Sequence, residues 1–176
     1  NTQEMLTTQT ANLAIENQTL SDGKLSFEVL VQTQVGHKFP AGFPSRRAWL
    51  HVVVRDASGQ VVFESGKPEE TGAILGNDHD LDMLKVEPHY TLIDNPEQVQ
   101  IYESIMMDTE GNPTTTLLRG SAYMKDNRIL PQGFDKASAP AEVAVHGDAL
   151  EACRIPLHLY TSKRFAPVRF AGFDQA

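Results

Sequence analysis

The stretch "NDHDLD", Asn77 to Asp82, places Asp78, Asp80 and Asp82 at alternate positions, with Glu87 five residues further on. Carboxylates at every second residue of a loop can turn their oxygens onto one hard cation, the donor set that Ca²⁺ takes. The spacing is not that of an EF-hand, because the glycine and the twelfth-position glutamate are missing; the other reading is a solvated acidic loop. A second group lies in "GHKFPAGFPSRRAW", Gly36 to Trp49. His37 there offers an imidazole as a ligand, and Arg46 and Arg47 offer two guanidinium forks that match carboxylates bidentately. In the alternative reading, strand alternation puts the two arginines on opposite faces, one paired with a nearby Asp or Glu and the other in solvent.

The remaining candidates are weaker. His37, His51, His79, His89, His146 and His158 form no HxxxH or HExxH pair. His51 and His158 read as strand-face residues, whereas His89, like His37, sits in a loop where a ligand or hydrogen-bonding role is expected. No G-x-S-x-G frame accompanies the serines, so the chain is read as no enzyme, with a hydrolase built on loop His and Asp residues as the weakest alternative. Cys153 is the single cysteine. It cannot close an internal disulfide, and without a CxxCH the chain cannot attach a c-type haem covalently; a half-buried strand thiol is the expectation. A formal net charge of -8 argues against binding nucleic acid through its phosphates. No run long enough to span a membrane exists, and the start at Asn1, without Met or a signal peptide, reads as processed.

These groups need a scaffold, and the dominant period along the chain is two. In "KLSFEVLVQTQV", Leu25, Phe27, Val29, Val31 and Val35 share one face, as in a strand with one side in a core. "NLAIENQTL" precedes it across Ser21-Asp22-Gly23-Lys24, giving a hairpin. "AWLHVVVRD" and "QVVFES" flank Asp56-Ala57-Ser58-Gly59, giving another. "QVQIYESIMMD" sets Val99, Ile101, Ile105 and Met107 against Gln98, Gln100, Tyr102 and Ser104, and stops at a turn, Glu110 to Pro113. "AEVAVHG" and "RIPLHLYT" read as short strands; "TTTLLRGSAYMKD" fits a short helix or a strand. The 176 residues, 40% of them hydrophobic, suit one domain, residues 1–176. The expected fold is all-β: an antiparallel, immunoglobulin-like sandwich with little helix. Leu25, Phe27, Val29, Val31, Leu50, Val52 and Val54 are its expected core. Residues 76–97 and 127–142 are long polar insertions, a length that usually carries function.

Four blocks in order, "GHKFPAGFPSRRAWLHVVVRDASGQVVFESG", "EPHY", "QVQIYE" and "LLRGSAYMKDNRILPQGFDK", resemble the C-terminal, haem-free β-domain of bacterial multihaem c-type cytochromes. The resemblance runs from about Leu13 to Gly147; Ala41 stands where the family often has Thr, and residues 149–176 depart from its pattern. It implies a periplasmic or extracellular electron-transfer protein whose CxxCH sites lie in another part of the parent, with this chain as an accessory domain packing on those haems. The resemblance makes His37 a distal ligand candidate for a neighbouring haem and lets Arg46 and Arg47 face its propionates, the prolines and glycines pre-shaping the loop. The alternative function is a calcium-dependent carbohydrate- or protein-binding module of an exported protein, with Asp78, Asp80, Asp82 and Glu87 as the metal site.

Overall fold

The computed structural model describes Glu4, residues 8–145 and the backbone of a strand at Arg154–Tyr160. The expectations for Cys153, His146, the His158 side chain and the rest of the 149–176 tail lie outside the described residues. Strands β1 (Ala11–Ser21) and β2 (Lys24–Thr33) form the first hairpin. Its two-residue turn puts Asp22 at φ 51 and Gly23 at φ 75, the left-handed pair that matches the twist of the flanking strands. The Arg154–Tyr160 strand pairs antiparallel with the other side of β2, giving the order β1-β2-β10 with this last strand as β10.

"AWLHVVVRD" does not make one strand. It splits into β3 (Ala48–Trp49), paired with β6 (Ile101–Tyr102), and β4 (Val52–Arg55), paired with β5 (Val61–Ser65). The β4–β5 turn is held by Asp56, whose Oδ1 accepts from the Ser58 and Gln60 amides at 2.9 and 3.0 Å. The fourth ladder orders β8 (Pro113–Thr114), β7 (Ser104–Met107) and β9 (Ala122–Asp126), so "AYMKD" is a strand. Residues 141–145, expected as strand, turn instead: the Val143 and Ala144 amides both donate to the Pro140 carbonyl at 3.0 Å. The helix content is one short turn, α1 (Asp78–Leu81), among the described residues beyond position 8. Among the described residues the chain is thus all-β and antiparallel with little helix, its strands divided among four ladders.

The inward face of β2 carries Leu25, Phe27, Val29 and Val31, and all four join Leu50, Val52, Val54 and Phe63 in one buried cluster. β2 and β4 belong to different ladders, so they meet through side chains across the core, each buried side chain contributing about 1.5–3 kcal/mol. A smaller cluster of Trp49, Ile74, Val99 and Ile101 lies beside it. The alternation in "QVQIYESI" does not separate inside from outside, because Gln100, Tyr102 and Ser104 are as buried as Ile101 and Ile105. Gln100 meets the 87–90 loop instead of water, its amide oxygen taking the Tyr90 N–H and its NH₂ facing His89, and Tyr102 joins the main core cluster.

Candidate functional site

Glycine and proline shape the chain from Gly36 to Pro44, and contacts at several points then hold it. Phe39 and Ile129 exchange two backbone bonds at 2.8 Å each. Lys38 Nζ donates to Asp126 Oδ2 at 2.6 Å and to the Ala144 carbonyl at 2.8 Å. Arg46 folds back over Gly42 and donates to the Ala41 carbonyl at 3.1 Å; a Cβ on Gly42, which sits at φ +94, would come within 3.0 Å of the Arg46 guanidinium. On this fixed loop His37 is exposed, with Nδ1 3.0 Å from the Lys38 carbonyl. A carbonyl only accepts, so Nδ1 carries the proton in the neutral ring and Nε2 keeps the lone pair. His37 lines a cleft of about 370 Å³ together with Lys38, Arg128, Phe134 and Glu142.

Beneath the cleft lies a charged group that sequence reading missed. Asp126, 1% exposed, takes Lys38 on one oxygen and a two-pronged contact from Arg128, Nε to Oδ1 and Nη2 to Oδ2, both at 2.8 Å. Burial by itself would raise the Asp126 pKa; the bonds from Arg128 and Lys38 outweigh it and hold the carboxyl below its ordinary range. Two cations meet one anion here, and Glu142, which lines the same cleft, offsets the remaining positive charge. The signal in the sequence was "KDNR", 125–128, inside one of the four blocks, but only a fold that brings residue 38 to residue 126 gives it meaning.

The two arginines separate. Arg47 donates to Asp80 Oδ1 at 2.6 Å and to the Gly72 carbonyl at 2.7 Å, so its fork is committed to the 72–80 segment. Arg46 is exposed and stays with the His37 loop.

Asp78, Asp80, Asp82 and Glu87, expected to share one cation, do not converge. The Asp80 oxygens take Arg47 and the Ile74 amide; Asp82 Oδ1 takes the Leu84 amide. Glu87, 1% exposed, takes the Tyr90 hydroxyl at 2.6 Å and the Asp78 amide at 2.9 Å. Among the described residues no three His, Cys, Asp or Glu side chains stand at metal-binding range. The reason is local: Asn77 caps α1 by accepting from the His79 amide, and Asp78 and Asp80 fall in its first turn, where acidic residues favour the helix start.

His89 is fixed by hydrogen bonds. The Gln100 amide oxygen accepts from the Tyr90 N–H and the Asn127 oxygen from the Glu103 N–H. That orients both NH₂ groups toward His89 Nδ1, at 2.7 and 3.0 Å. Nδ1 therefore shares its one lone pair between the two donors, and the ring proton sits on Nε2. Lys125, also buried, spans Glu103 Oε1 and the Glu87 carbonyl at 2.8 Å each. Burial and the Glu87 bond together push the Tyr90 hydroxyl pKa well upward. This network joins the 87–90 loop to β6, β7 and β9 and has the character of architecture.

No family model matches the chain, and no curated protein matches it. Among solved structures it is similar to the crystal structure of a penta-heme cytochrome c552 from Thermochromatium tepidum, with a TM-score of 0.46 and 20% identity over 72% of this chain. The match spans 26% of that cytochrome's length. A likeness of this degree carries no argument about what the chain does. No helix among the described residues is long and apolar enough to cross a membrane.

Proposed function

We propose that this chain is a haem-free, non-catalytic β-domain of an exported multihaem c-type cytochrome, and that its His37 loop faces a haem carried by another part of the parent protein. The support is the four sequence blocks together with one geometric observation. His37 is exposed on an anchored loop, and its Nδ1–H is engaged by a backbone carbonyl. A ligating imidazole is held in just this way, its second nitrogen bonded so that the ring is oriented and the lone pair is free for iron. An exposed ring tied, among the described residues, only to its neighbour's carbonyl also does little for the domain's own stability. Lys38 and Arg128 line the cleft and offer cations to the propionates of a haem docked there, against the carboxylates of Asp126 and Glu142, and Arg46 stands nearer to that role than Arg47. The haem supplies the electron transfer; this chain's residues supply the ligand, its orientation and the charged rim.

The test uses the full-length parent. His37→Ala is expected to convert one low-spin haem to a high-spin or differently ligated one and to shift its potential. A spectrum and potentials identical to the wild type would remove the ligand role.

A further inference from the structure

A groove of about 610 Å³ lies between the segments around Gly66, Gly76 and Pro96. Gly76, at φ +93, is one of its lining residues and packs closely, since a Cβ there would meet Val99 Cγ2 at 2.8 Å and the Glu97 carbonyl at 2.9 Å. Leu75, Leu81, Tyr90 and Pro96 provide apolar lining. Of these, Leu75 is 58% exposed and Leu81 82%. Large apolar side chains gathered at the rim of a groove mark a surface that something covers.

The charge of the groove says what kind of partner that is. Glu64, Asp78, Glu87 and Glu97 line it against the single cation Lys67. Glu87 spends both oxygens inside the fold, and Glu64 holds His51 at 3.0 Å. Asp78 and Glu97 make no side-chain hydrogen bond or ion pair among the described residues. We propose that this groove docks a basic segment of a partner polypeptide, a lysine or arginine whose aliphatic stem runs along Leu75, Leu81 and Tyr90 and whose cation meets Asp78 and Glu97. A second copy of this chain is a poor occupant, since it brings its own net charge of -8. The proposal is independent of the haem reading.

The probe is an acetylated, amidated Lys-Leu-Arg-Leu-Lys peptide, titrated at low salt into the isotope-labelled chain. Amide shift changes are expected to cluster on residues 64–67, 75–81 and 95–98. The double variant Asp78→Asn with Glu97→Gln is expected to weaken binding about tenfold. The control pair Asp22→Asn with Glu110→Gln, outside the groove and equal in charge change, is expected to leave it within about twofold. Leu81→Ser, at a position too exposed to disturb folding, is expected to weaken it about threefold. Equal weakening by both double variants, or shifts spread over the surface, would overturn the proposal in favour of general attraction to an acidic protein. Peptide binding that emerges only after residues 161–176 are deleted overturns it in favour of the chain's own segment as occupant. Growth of the free chain's mass with concentration, lost in Leu81→Ser, overturns it in favour of a second copy.

Discussion

Asp126→Asn tests whether the His37 loop is held by charge. Asp126 is 1% exposed and is bonded to Lys38 and Arg128, themselves 11% and 17% exposed. Asparagine preserves the shape but leaves two poorly solvated cations facing each other over a neutral amide. Breaking a fully buried pair costs about 3–5 kcal/mol. Both cations keep some access to water, and Lys38 keeps the Ala144 carbonyl, so the expected loss is about 2–4 kcal/mol. For a chain of this size that is a fall in melting temperature of roughly 5–15 °C. Urea unfolding followed by circular dichroism should show a lower midpoint at unchanged slope. The pH dependence sharpens the test. Because the folded Asp126 pKa lies below the ordinary 3.8, its contribution is fully present above that value and is lost as pH falls through the lower, folded one. Wild type and variant should therefore differ most near neutrality and converge in acid. A loss under about 1 kcal/mol at pH 7, or a difference that persists unchanged at pH 2, would show that the ion triad does not hold the loop.

Val29→Asp places a carboxylate in the β2 face of the core, where Val29 is 0% exposed, and expression trials should yield no folded protein. Asn127→Ala removes the bonds to the Ile101 carbonyl, to His89 and from the Glu103 amide, and denaturant titration should register a loss of about 2–4 kcal/mol. His37→Ala in the isolated chain should move stability by less than about 0.5 kcal/mol, so that a spectral change in the parent cannot be laid to unfolding. Since Asp80, Asp82 and Glu87 already take internal donors, a chelator should leave the melting temperature unchanged and calorimetry should find no Ca²⁺ uptake at about millimolar levels.

The sequence by itself determined the all-β class, both tight hairpins and the core faces of β2 and β4. Those follow from neighbours: a period of two sorts side chains by face, and Asp22-Gly23 or Asp56 to Gly59 turns the chain wherever it stands. It also offered the reading in which one of the two arginines pairs with a nearby acid, as Arg47 does with Asp80. What it misjudged were questions of long-range meeting. Gln100, Glu103 and Asn127 look like surface residues because polarity along a strand usually means water, yet here Tyr90 and His89 of the 87–90 loop meet Gln100 and Asn127, and Lys125 of β9 meets Glu103. The alternating aspartates look like a cation loop, but Arg47 and the Ile74 amide take the oxygens of Asp80, and the Leu84 amide takes one of Asp82. Lys38 and Asp126 stand 88 residues apart, and no pattern of spacing joins them. A carboxylate's role is set by the donor it meets, and tertiary structure alone decides which donor that is.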